Sequence, residues 1–161
     1  MRTIEGTQTA SGFRFAIVVS RYNDFVTERL QAGALAALAV AGVRPDDVTV
    51  VVVPGAFEIP IAARRAAESG QYDAVVCLGC VIRGATPHFE YIASAVASGL
   101  TSASAATGVP MTFGVLTTNS VEEAIERAGE GPSNKGYEAA AAAVQMASVV
   151  AQLARQPLTA S

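Results

Sequence analysis

Four short apolar runs punctuate the chain, each followed by a longer stretch with helical spacing. Arg14–Ser20 reads RFAIVVS, a β-branched run suited to a strand buried on both faces. Val48–Val53 is valine apart from Thr49 and reads as a second central strand. Asp73–Gly79 and Pro110–Thr117 complete the set. After the first run, Asn23 can cap a helix carrying Phe25, Val26, Leu30, Leu35, Leu38 and Val40, which Gly42 stops. Ile59–Ser69 is helical before Gly70. Thr86 as N-cap and Pro87 at the first helical position open the next helix. Ser120 caps a short helix whose first turn holds Glu122 and Glu123, as the helix dipole prefers. Gly129–Ser133 interrupts, and Asn134–Arg155 forms a last long helix. Continuous apolar strands alternating with helices predict a parallel sheet covered on both faces, a three-layer α/β/α domain. No linker divides 1–161, so one domain is expected, with residues 1–12 as an N-terminal arm and 156–161 as a loose tail.

Composition changes the picture in one respect. Hydrophobic residues make up 51% of the 161 and charged residues only 16%, well under the usual quarter for a soluble domain. A chain so poor in charge crosses a membrane or covers part of its outside with copies of itself. The uncharged stretch Tyr91–Val121 is broken by Gly99, Gly108 and Pro110, so it reads as a buried helix, a turn and a buried strand rather than a span. Self-association is therefore expected. The net charge of −3 argues against a broad nucleic-acid footprint. Two cysteines and a polar start without an apolar signal core predict a reduced, cytoplasmic protein.

In open parallel sheets, ligands bind beyond the carboxyl ends of the strands. Tyr22-Asn23, Gly55–Glu58, Cys80–His88 and Thr117–Asn119 follow the strands and converge on that edge. His88, the single histidine, falls in the first turn of a helix, where the dipole disfavours a cation and leaves an imidazole able to accept a proton. By position alone it reads equally well as a surface residue. Gly84-Ala85-Thr86 offers backbone N–H groups before a helix start, suited to a phosphate or to an ordinary βα turn. Arg127 and Lys135 flank the break between the last two helices; two cations there could hold an anion or simply be solvated. Gly129–Gly136 lacks the glycine before lysine of an ATP-type loop. Cys77 and Cys80 form a C-x-x-C, but no further cysteine and one histidine cannot complete a zinc site. Placed in a strand, the two thiols face opposite sides. Phe113 lies within a strand and reads as core.

Together these segments resemble the 6,7-dimethyl-8-ribityllumazine synthase family over roughly Ile4–Ala154. The resemblance rests on VPGAFEIP (Val53–Pro60), LGCVIRGATPHFEY (Leu78–Tyr91), FGVLTTNS (Phe113–Ser120), and ERAG followed by NKG (Glu126–Gly129, Asn134–Gly136). It implies a flavodoxin-like four-stranded sheet of order 2-1-3-4. It implies a transferase of riboflavin biosynthesis that needs no cofactor or metal and joins 5-amino-6-(D-ribitylamino)uracil to 3,4-dihydroxy-2-butanone 4-phosphate. Position by position, His88 matches the proton-transfer residue. Gly84, Ala85, Thr86 and Arg127 match the phosphate site. Tyr22, Asn23, Ala56, Phe57, Glu58, Ile59, Cys80, Val81, Ile82, Phe113 and Lys135 match the pyrimidine and ribityl site, with Phe113 entering from a neighbouring subunit. Glu138 matches an acidic position near the histidine. The family assembles as pentamers, some of which pack into 60-subunit shells that enclose riboflavin synthase. The short Arg127–Lys135 loop has the length of shell formers, although Glu130-Gly131-Pro132-Ser133 departs from their Gly-Lys-rich wording.

Overall fold

The computed structural model describes residues 1–155; the tail expected at 156–161 lies outside the described residues. Four parallel strands, β1 (Phe15–Ser20), β2 (Val48–Val53), β3 (Ala74–Ile82) and β4 (Met111–Thr118), form one sheet in the order β2-β1-β3-β4. The helices are α1 (Asp24–Val40), α2 (Ile59–Glu68), α3 (His88–Thr107), α4 (Val121–Arg127) and α5 (Lys135–Arg155). Alternation of side chains along each strand splits the core into two layers. Phe15, Ile17, Val76, Leu78 and Cys80 point toward α1 and α5. Ala16, Val18, Val75 and Cys77 point toward α2 and α3. All six residues of β1 are buried, as a strand covered on both faces requires.

Three differences from the sequence reading matter. β2 is an edge strand and not a central one: Thr49, Val50 and Val52 are exposed, because a valine run does not distinguish a covered strand from an edge awaiting a cover. β3 does not stop at Gly79 but runs to Ile82, since the eight-residue β4 offers it partners up to the pair Ile82–Thr118. In consequence the following loop is compressed into Arg83–Pro87. Pro87, not Thr86, occupies the N-cap of α3, without a side-chain cap, so His88 is the first helical residue. The hydroxyl of Thr86 is left free of a capping role.

The uncharged stretch forms the body of α3, a left-handed turn at Gly108 (φ 73°) and β4, but neither element is buried throughout, as the sequence reading expected. Only Val96, Leu100 and Ala103 of α3 are buried. The remaining face of the helix carries no charge beyond Glu90 and is open. Residues 1–12 lie along their own chain. Thr7 N–H donates to Ser148 Oγ at 3.2 Å, Gln152 Nε2 donates to Glu5 O at 2.8 Å, and Ala10 N–H donates to Ala41 O at 2.9 Å. No helix among the described residues is long and apolar enough to cross a membrane.

Candidate active site

The carboxyl ends of β1, β2 and β3 open onto a cleft of about 530 Å³, within the usual size of a small-molecule site. Its walls are built by strand ends. Tyr22 and Asn23 come from the turn after β1, and Gly55 to Glu58 from the short helical turn after β2. Cys80, Val81 and Ile82 come from the last residues of β3, and Gly84, Thr86 and His88 from the loop and first turn beyond. Asn23 adopts the left-handed conformation (φ 64°, ψ 45°), which asparagine tolerates better than most residues. It does not cap α1 through its side chain; its Nδ2 donates to Cys80 O at 2.9 Å and ties the β1 turn to β3. Tyr22 and Phe57 are 73% and 61% exposed, so both rings are presented rather than packed away. The half-buried Glu58 carboxylate makes no hydrogen bond or ion pair among the described residues and is free to accept from hydroxyls.

Arg127 and Lys135 do not reach this cleft. They line a second one, of about 520 Å³, with Phe113 and the outward edge of β4. Phe113 is 49% exposed there, which overturns its reading as core: β4 is an edge strand, and the ring stands beside the open edge. Arg127 Nη1 lies 3.7 Å from Glu123 Oε2, and Lys135 Nζ 3.0 Å from Glu138 Oε2. Such exposed pairs are worth about 0–1 kcal/mol, so either cation can be drawn to a stronger anion. One chain therefore carries its imidazole and its two candidate anion-binding cations in different clefts.

Ile59 lies beneath the first cleft, fully buried in the α2 layer, and Ala85 is exposed on the loop without lining either cleft. Phe89 and Ile92 also line the first cleft and were missed by the sequence reading, whereas Gly55 lies in a strand-end segment already expected at this edge. The signal for Ile92 was its spacing of one helical turn from His88 on a helix whose N-terminus faces the site; Phe89, one residue along, carries no such spacing signal.

Cys77 and Cys80 fall on opposite faces, as their strand spacing requires. Burial alone pushes the Cys77 thiol up to about 12 and the Cys80 thiol up to about 11. Thiolate is the reactive form, so neither sulfur should react with a thiol-specific chromogenic disulfide at pH 7.5. Both should react after unfolding in denaturant; rapid release of chromophore from the folded protein would contradict this placement. No group of three or more His, Cys, Asp or Glu among the described residues is arranged to hold a metal ion.

Comparison with known proteins agrees with this architecture over nearly the whole chain. A curated relative from Desulfatibacillum aliphaticivorans, named 6,7-dimethyl-8-ribityllumazine synthase, is 49% identical over 151 residues, covering 94% of this chain and 97% of its own. Residues 12–151 match the family model described as 6,7-dimethyl-8-ribityllumazine synthase. With both clefts, all four strands and all five helices inside or beginning within that span, the chain belongs to the 6,7-dimethyl-8-ribityllumazine synthase family.

Proposed function

We propose that the chain is a transferase of riboflavin biosynthesis. It condenses 5-amino-6-(D-ribitylamino)uracil with 3,4-dihydroxy-2-butanone 4-phosphate to 6,7-dimethyl-8-ribityllumazine, releasing phosphate and water. The family match across residues 12–151 carries this reading. The chemistry on the page suits it. Tyr22 and Phe57 offer faces to a flat ring, and the unpaired Glu58 carboxylate accepts from a polyhydroxyl chain. The strand-end backbone of Cys80, Val81 and Ile82 borders the heterocycle. The N–H groups of Gly84, Ala85 and Thr86 face a phosphate, with Arg127 supplying positive charge from the other cleft and Lys135 placed beside the pyrimidine.

The amine of the pyrimidine attacks the ketone and water leaves, forming an imine. His88 accepts a proton from the sugar-derived portion, and phosphate departs into the donors of the 84–86 loop and Arg127. Ring closure expels a second water. General acid–base help of this kind contributes about 10²–10⁴-fold. Holding two substrates together supplies much of the rest, since effective molarities reach about 10⁵ M or more.

We further propose that the functional site is assembled between neighbouring copies, the first cleft of one chain meeting the second cleft of the next around a pentameric ring. Three features support this: the separation of His88 from Arg127 in one chain, the open edges of β2 and β4, and the uncharged outer face of α3. A 60-subunit shell is the larger assembly expected from the short Arg127–Lys135 loop, and sedimentation showing pentamers alone would eliminate it. The reaction itself is tested by mixing the protein with both substrates. Lumazine fluorescence should rise in step with phosphate release. A protein that instead carries stoichiometric flavin and makes no lumazine would be a flavin-binding module, and the proposal would fall.

A further inference from the structure

The loop that presents the phosphate donors has almost no internal support. Among the described residues, the backbone N–H groups of Gly84, Ala85 and Thr86 make no hydrogen bond, and a side chain at Gly84 would meet open space. Its placement must come from its flanks. On one flank is the first turn of α3; on the other is Arg83. Arg83 N–H donates to Thr118 O at 2.8 Å, extending the β3–β4 ladder by one step. Its side chain then spreads over three partners. Nε donates to Asn119 Oδ1 at 3.0 Å, Nη1 reaches Glu90 Oε1 at 3.4 Å, and the guanidinium lies 4.9 Å from the centroid of the Phe89 ring. The last two partners belong to the first turn of α3, immediately after His88. Asn119 is itself fixed, since its N–H donates to Glu123 Oε2 at 3.0 Å.

We propose that Arg83 is a positioning residue for the reaction, anchored by Asn119. It spans the mouth of the 84–87 loop and holds the loop's free donors and the first turn of α3 in register with each other. The planar guanidinium suits this, because its fixed fork can satisfy an amide and a carboxylate while its face covers a ring. The inference rests on the assignment of phosphate to that loop. It predicts a defect confined to the phosphate-bearing substrate, since Tyr22, Phe57 and Glu58 hang from other strands and Cys80, Val81 and Ile82 are held by their own ladder to β4.

The test is steady-state kinetics of the assembled enzyme with each substrate varied in turn. Arg83→Ala should raise KM for the butanone phosphate about ten- to a hundredfold, the scale expected when a binding group is misplaced by about 1 Å. KM for the pyrimidine should stay within about twofold, the scatter expected of a site left untouched. Asn119→Ala should reproduce the effect in weaker form although it removes no charge, and the double variant should be no worse than Arg83→Ala, as expected of members of one network. Arg83→Lys, which keeps the charge but loses the fork, should fail to restore KM. Restoration by lysine, or a normal Asn119→Ala, would mean that Arg83 acts as a bare charge and would overturn the clamp. Equal rises in both KM values, or no rise in either, would overturn it too. The wild-type protein run alongside separates this from the functional assignment: if it makes no lumazine, the assignment has failed, whereas normal wild-type turnover with unaffected variants sinks the clamp alone.

Discussion

His88→Ala and Arg127→Ala, made as separate variants, should each be severely slowed, and co-assembled in equal amounts they should regain a substantial fraction of wild-type turnover. The first variant loses its proton acceptor, a loss of about a hundredfold or more. The second loses charged hydrogen bonds to phosphate, each worth about 1.5–3 kcal/mol. Neither defect can be repaired inside its own chain, because the two side chains open into different clefts. In a head-to-tail ring every site draws its imidazole from one copy and its guanidinium from the next. Random mixing then leaves about a quarter of the sites with both groups intact. The measurement is turnover after joint unfolding and refolding, compared with the same variants refolded apart and combined afterwards. Recovery only in the joint sample supports a shared site. A joint sample no faster than the average of its parts would place His88 and Arg127 in the service of one chain.

This test was foreshadowed by the composition but not by the strand pattern. The sparse charge of the chain predicts covered outer surface, and the exposed valines of β2, the bare face of α3 and the exposed ring of Phe113 are the apolar surface that a single chain leaves open. Periodicity could not find them, because a strand waiting for a neighbour has the same residues as one already buried. The alternation of elements was legible for the opposite reason: β1 and β3 sit inside their own chain, so their apolar runs answer to local partners. The β3 boundary was missed because its end is set by the length of β4, a partner far along the chain. The same distance hid the clamp. Arg83 and Asn119 are 36 residues apart, and nothing in either segment announces the other. His88, by contrast, was visible as the only histidine next to a helix start, and the structure moved it by one position within that turn. Ile59 was placed in the binding set by its motif, but its side chain belongs to the core beneath the cleft.

The second large effect concerns the element that carries Lys135. Gly136→Ala should lower the thermal midpoint by several degrees and disturb the second cleft at the same time. α5 begins at Lys135 and at once crosses α1. A Cβ on Gly136 would lie 2.7 Å from the carbonyl carbon of Leu30 and 2.8 Å from its Cα. Those are backbone atoms of α1, so no rotamer change relieves the clash and the helices must move apart. Overpacking of this kind costs about 1–3 kcal/mol and occasionally more. At about 2–4 °C per kcal/mol for a chain of this size, a fall of roughly 2–12 °C is expected. Asn134 locks the same junction. It is 3% exposed, and its Oδ1 accepts from the N–H groups of Gly136 and Tyr137 at 2.8 and 3.0 Å. Its Nδ2 donates to Gly129 O at 2.9 Å and Arg29 O at 3.2 Å. Asn134→Ala therefore leaves buried donors and acceptors unmet, at about 1–3 kcal/mol for each one that finds no water, and should destabilise by a comparable amount. Gly84→Ala is the control: a Cβ there meets nothing within 4 Å, and such a surface change should stay within about 0.5 kcal/mol. Because Asn134 also closes the loop from Gly129 to Lys135, both destabilised variants should raise KM for the phosphate-bearing substrate, even below their melting range. If Gly136→Ala melts at the wild-type temperature, the close crossing of α1 and α5 is wrong, and with it the account of how Lys135 and Arg127 are held side by side.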